Sequence, residues 1–167
     1  DNFQDGICRG EFSYYYSKLT HVWGWATWRR AWKNYDVNMS FWPKFKKSKE
    51  YKEIFHIQTA RKYFSSIFDA VYNGKIDTWD YQWTACVWYN QGLSITPNKN
   101  LVKNIGFGPE ATHTKIETMR SRNQITEKIL PLNYPNVIYR NYKADEYVFK
   151  NILRISKISS LKNYLRK

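Results

Sequence analysis

Asp77-Thr78-Trp79-Asp80-Tyr81-Gln82-Trp83 places two carboxylates and two indoles at what reads as a helix start. Asp77 has the side chain of a good N-cap, an oxygen able to accept from the free N–H groups of a first turn. Asp80 then falls at the third helical position. From there Trp79, Trp83, Cys86, Val87 and Asn90 recur at helical spacing, one face of a helix, until Gln91-Gly92 supplies a stop. An acid in a first turn also serves simply to complement the dipole and the orphan donors there. The aromatic density beside it adds a second meaning. Trp79, Tyr81 and Trp83 are flat apolar surfaces of the kind on which sugar rings pack their C–H faces. The positive end of the helix favours an ionised Asp80, which suits it to accept a hydroxyl proton and not to donate one.

Working outward from this stretch, Ile54, Ile57, Ala60, Tyr63, Phe64, Ile67, Phe68 and Val71 have helical period and are followed by Gly74. This predicts one long amphipathic helix over 50–72, with His56 inside it as a structural or exposed residue. Residues 24–36 predict a second helix, with Trp25, Trp28 and Trp32 on one face and Arg29, Arg30 and Lys33 elsewhere. Trp28 and Trp32 read as a buried aromatic stripe. His21, Trp23 and Trp25 flank Gly24 ahead of that helix, where backbone can approach a ligand closely, and are assigned to a site.

Residues 11–17 read as a strand, 93–97 as a short strand ended by Pro97, and 101–105 as a further strand. The basic and aromatic run 41–47 reads as a solvated face. Residues 106–114 form a loop in which Gly106, Gly108, Thr112 and His113 bring flexible backbone and polar donors together. They lack the spacing of a dinucleotide fingerprint or a P-loop. The tail 144–167 reads as a cationic amphipathic helix. It either packs on the domain or docks on an acidic membrane surface.

With 167 residues the chain is long enough for one unit with a real core. It begins at Asp1 without an initiator Met or a signal-peptide pattern, which suggests a start inside a longer protein. No apolar run is long enough to span a membrane. The net charge of +13 makes nucleic acid, phospholipid headgroups and nucleotide diphosphates attractive partners. No nucleic-acid reader motif accompanies it, so nucleic acid is the minor reading. The eight tryptophans fall in three groups, as a site would place them. Cys8 and Cys86 are far apart and neither belongs to a C-x-x-C pair, so no zinc site or redox motif is expected and the sequence shows no structural disulfide; free thiols in a reducing compartment fit best.

Three motifs stand in order along the chain. They are His21-x-Trp23-Gly24-Trp25-Ala26-Thr27-Trp28-Arg29-Arg30-Ala31-Trp32, Trp79-Asp80-Tyr81-Gln82-Trp83, and Asn100-Leu101-Val102-x-Asn104-Ile105-Gly106-Phe107-Gly108 with Ala111-Thr112-His113-Thr114. Together they resemble the C-terminal half of bacterial nucleotide-diphospho-sugar transferases, family-2-like glycosyltransferases of the GT-A fold, some of which carry a haemolytic-protein name. The resemblance runs over residues 10–114. It implies an α/β fold, the helix-rich acceptor-side half of a GT-A domain with a few short strands over 1–140, followed by a basic amphipathic helix over 141–167. The Rossmann-like half with its Asp-x-Asp metal motif would lie upstream, since this chain has no Asp-x-Asp.

By the same resemblance, Asp80 matches the base that acts on the acceptor hydroxyl, with Asp77 as the alternative. His113 matches a histidine that ligates a divalent cation, Mn or Mg, or contacts the diphosphate. His21, Trp23, Gly24 and Trp25 would line the acceptor pocket, and Trp79, Trp83, Asn104, Gly106, Gly108 and Thr112 would complete the substrate site. The implied activity is inverting transfer of a sugar from a nucleotide-sugar donor to a glycan or lipid-linked acceptor. The implied setting is the cytoplasm, with peripheral contact at the inner membrane through the basic tail. A non-catalytic carbohydrate-binding module is the rival that the tryptophans equally suit.

Overall fold

The computed structural model describes residues 2–107 and 124–153. These form a mixed α/β, helix-rich arrangement with two short strands. Its centre is the pairing of α4 (Gln58–Tyr72) with α5 (Asp80–Tyr89). Helix α4 is amphipathic and turns Ala60, Phe64, Ile67, Phe68 and Val71 inward. Helix α5 is buried on most of its surface, from Gln82 to Cys86 and at Trp88, because its sequence offers no wide polar face. Both helices end where the sequence predicts. Past α4, Gly74 takes φ +68°. Past α5 it is Gln91 that adopts the left-handed conformation, at φ +56°. Gly92 is required there for closeness instead: a Cβ on it would meet Val87 Cγ1 at 3.1 Å.

The core is built mainly from aromatic rings meeting edge to face. Trp88 lies 4.9 Å from Phe64, 5.2 Å from Phe55 and 5.4 Å from Phe68 between centroids. Trp42 meets Tyr51 and Phe68, each at 5.1 Å. Such pairs contribute about 0.5–1.5 kcal/mol each beyond the area they bury. The solvated face expected at 41–47 is therefore corrected. Helix α2 (Trp42–Phe45) buries Trp42 and Phe45 and leaves only Pro43 and Lys44 outside.

The single helix predicted over 50–72 is two. Helix α3 (Lys49–Glu53), capped by Ser48, which accepts from the Tyr51 N–H at 3.1 Å, is separated from α4 by residues 54–57. The break lets consecutive residues Ile54 and Phe55 both enter the core. A continuous helix would turn them about 100° apart. His56 lies in the break, exposed, with its ring 4.8 Å from Tyr142.

Strand β1 (Tyr14–Ser17) pairs antiparallel with β2 (Ser94–Pro97), Tyr15 opposite Thr96. Residues 101–105 carry no strand. On the other side of β1, Arg140 makes an isolated parallel bridge to Tyr16 and leads into α6 (Tyr142–Tyr147), which continues as a π-helical turn, Val148–Ile152. The remainder of the expected tail helix lies outside the described residues. Asp145 of α6 is buried, with its carboxylate held by Arg140 Nε at 2.6 Å and by the Ser17 hydroxyl. Among the described residues no helix is long and apolar enough to cross a membrane.

Candidate functional site

Between the loop after β1, the face of α5 and residues 92–102 lies a cleft of about 700 Å³. Gly24 is part of its lining. Its φ is +61°, and a Cβ there would meet Val102 Cγ2 at 2.5 Å, so only glycine lets the two segments approach. His21 and Trp23 are backed by Phe3, at 4.7 and 5.9 Å between ring centroids.

The helix predicted over 24–36 is reduced to α1 (Arg29–Trp32). Trp25 therefore leaves the helical face on which it was placed and packs flat on Trp79, at 5.0 Å and 24°. It also touches Trp32 and Trp83, each at 5.9 Å. Trp32 stacks on Tyr35 at 4.6 Å and 5° and lies 5.1 Å from Trp83. The buried stripe expected of Trp28 and Trp32 is not formed. Trp28 is 54% and Trp32 40% exposed, because a four-residue helix has no second turn to carry them into the core.

Of the predicted site residues, His21, Trp23, Gly24, Trp25 and Trp83 line the cleft together. Trp79 is not in the lining and stacks behind it on Trp25. Asp80 and Asp77 are not in the lining. Asn104 accepts from the Gly106 N–H at 2.9 Å in the segment just beyond Val102, and neither lines the cleft. Gly108, Thr112 and His113 lie outside the described residues. Trp28, Arg30, Asn34 and Asn90 also line the cleft and were not assigned from sequence. Asn90 follows the helical period of α5 and could have been found. Asn34 depended on a turn that the periodicity missed.

The N-cap expected of Asp77 is corrected. Helix α5 starts at Asp80 with Trp79 in the cap position and no capping side chain, and Asp77 is exposed. Asp80 is thus at the first helical position, not the third. Its Oδ1 accepts from the Thr78 hydroxyl and from the Tyr81 N–H at 2.9 Å, meeting the donor that a cap would have met. Among the described residues Oδ2 accepts no hydrogen bond. Thr84 donates its hydroxyl to the Asp80 carbonyl at 2.9 Å and also contacts the Thr20 hydroxyl, fixing the helix start to the chain leaving β1. Burial raises the Tyr35 phenol above its ordinary value, and the neighbouring Cys86, Asp80 and Asp36 add to the shift.

No family model matches the chain, and no curated protein or solved structure does.

What the arrangement offers is therefore argued from its own chemistry. Trp23 and Trp25 give the cleft partly exposed apolar surface with Trp83 buried behind them, while Arg30, Asn34 and Asn90 add polar groups within the same cleft. Ligand sites of this volume combine the two in that way. Among the described residues no three or more His, Cys, Asp or Glu side chains stand together as metal ligands.

Proposed function

We propose that this chain is the acceptor-side half of an inverting GT-A-type glycosyltransferase, which moves a sugar from a nucleotide-diphospho-sugar to a glycan or lipid-linked acceptor. The observation that carries the reading is one juxtaposition. A cleft lined by Trp23, Trp25 and Trp83 runs along helix α5, and at the first residue of that helix, outside the lining itself, Asp80 keeps a carboxylate oxygen uncommitted among the described residues. The indoles take the sugar face. Asp80 removes the proton from the acceptor hydroxyl as its oxygen bonds to the anomeric carbon, and the bond from that carbon to the diphosphate breaks. Arg30, at the cleft edge, offers charge-assisted hydrogen bonds to an anionic group.

The test is transfer from a panel of nucleotide sugars, with Mn and Mg supplied. The chain is assayed alone and with the upstream coding sequence attached. Asp80→Asn is expected to cut turnover by about 10²–10⁴, the share of a positioned base, while sugar binding persists. Equal turnover in Asp80→Asn would sink the assignment of the base. Sugar binding that needs Trp25 and Trp83 but never leads to transfer in either form would favour a carbohydrate-binding module, the reading that the wall of indoles also suits.

A further inference from the structure

Residues 28–33 form one helical turn, with the Trp32 N–H on the Trp28 carbonyl at 3.0 Å and the Lys33 N–H on the Arg29 carbonyl at 3.1 Å. Trp28 and Trp32, four residues apart, share a face, and Arg29 and Lys33 share the neighbouring one. The Arg30 guanidinium lies 5.0 Å from the centre of the Trp28 ring. Arg29, Arg30 and Lys33 are exposed and form no ion pair among the described residues. The nearest acid in sequence, Asp36, is occupied by the Ser40 hydroxyl and by the N–H groups of Asn38 and Ser40. Trp28 is 54% exposed and Trp79, joined to Trp32 through Trp25, is 41% exposed. Indoles interleaved with unpaired cations match the headgroup level of an anionic bilayer, where Trp sits at the boundary and Lys or Arg meets phosphate.

We propose that this α1 edge is an interfacial docking surface for an anionic lipid bilayer. The charge complementarity names the occupant, since exposed indoles beside Arg and Lys with no ion pair among the described residues suit a phospholipid headgroup layer. Single-stranded nucleic acid, which would use the same cations and the ring faces left open, is the outcome the test below separates. Trp28 and Arg30 also line the cleft, so docking sets the cleft mouth at the headgroups. The inference is independent of the transferase reading and is tested without turnover.

The full chain is mixed with vesicles of phosphatidylcholine alone or of phosphatidylcholine with an equal share of phosphatidylglycerol, and the bound fraction is measured by flotation. Binding is expected only with the anionic lipid. R29Q/K33Q is expected to weaken it by about thirtyfold, at roughly fivefold per charge near an anionic surface. W28A is expected to weaken it severalfold, with unchanged circular dichroism in both variants. K162Q/R166Q/K167Q, which alters only the tail, serves as the comparison. Binding that survives W28A and R29Q/K33Q and is lost only in the tail variant overturns the proposal. So does equal binding to neutral vesicles, or binding to single-stranded DNA but not to vesicles through the same residues.

Discussion

Gly24 illustrates how much of the site rests on one missing methyl group. Its φ of +61° already favours glycine, and the Val102 side chain fills the space that a Cβ would need. Gly24→Ala is expected to destabilise the fold by about 2–4 kcal/mol, combining a left-handed backbone penalty with overpacking. Gly24→Ala with Val102→Ala should recover the overpacking share and leave the backbone share. Urea melts of the four proteins of this cycle measure both. A double variant no more stable than Gly24→Ala would show that Val102 is not the obstacle. That Gly24 permits a close approach was legible from its place between aromatic residues, but the approach expected was to a ligand and the structure shows Val102 there. That partner was not legible, since nothing local in sequence ties residue 24 to residue 102. The start of α5 was misread for a similar reason. Asp77 has the residue type of a cap, but the helix begins three residues later at Asp80, whose own carboxylate accepts from the Thr78 hydroxyl and the Tyr81 N–H.

Among the elements, α6 is tied to β1 by a charge that water does not reach. The side chains of Arg140 and Asp145 are 8% and 1% exposed, and their contact is 2.6 Å. Asp145 also accepts from the Ser17 hydroxyl and from the Lys18 N–H at 3.2 Å, while Arg140 donates to the Ile54 carbonyl at 2.6 Å. One ion pair therefore joins the strand, the last helix and the break between α3 and α4. Asp145→Ala leaves Arg140 buried without its counter-charge and is expected to lower stability by about 3–5 kcal/mol in urea unfolding. A loss below 1 kcal/mol, of the order of an exposed pair, would mean that solvent reaches Arg140. The long periodic segments were legible as helices because their apolar residues recur over several turns. The four-residue helices were not, since one turn carries too little pattern to separate it from a loop. The buried Asp145 was equally hidden, because an acid in an amphipathic segment reads as part of the solvated face.

For the molecule as a whole, the charge balance is coupled to folding through Lys18. Burial, helped by the nearby Arg140 charge and opposed by Asp145, lowers the Lys18 ammonium to about 8 from an ordinary 10.5. Between these values the unfolded chain keeps a proton that the folded chain has released, so folding is favoured progressively as pH rises through that window. Below about 8 the cost of holding the charge in the fold is present in full. The stability of the native protein relative to Lys18→Gln is therefore expected to increase between pH 8 and 10.5. Thermal melts of both proteins read the difference, in which general titration of the other basic groups cancels. A flat difference would show that Lys18 is solvated in the folded state.

The same global view shows why mixed α/β character was foreseeable from the alternation of aromatic strands and periodic helices. The burial of Trp42 and the exposure of Trp28 were not, because both lie among basic residues and only tertiary contacts separate them.

The ring-to-ring spacings beside the cleft have an optical consequence. Trp25, Trp32, Trp79 and Trp83 are linked by centroid distances of 5.0–5.9 Å. At such separations the transition dipoles of neighbouring indoles couple, and excitation taken up by one is shared among them before emission. Tryptophan fluorescence is therefore expected to report on the cluster as a unit, so that quenching of Trp79 by a ligand also lowers the emission of Trp25, Trp32 and Trp83.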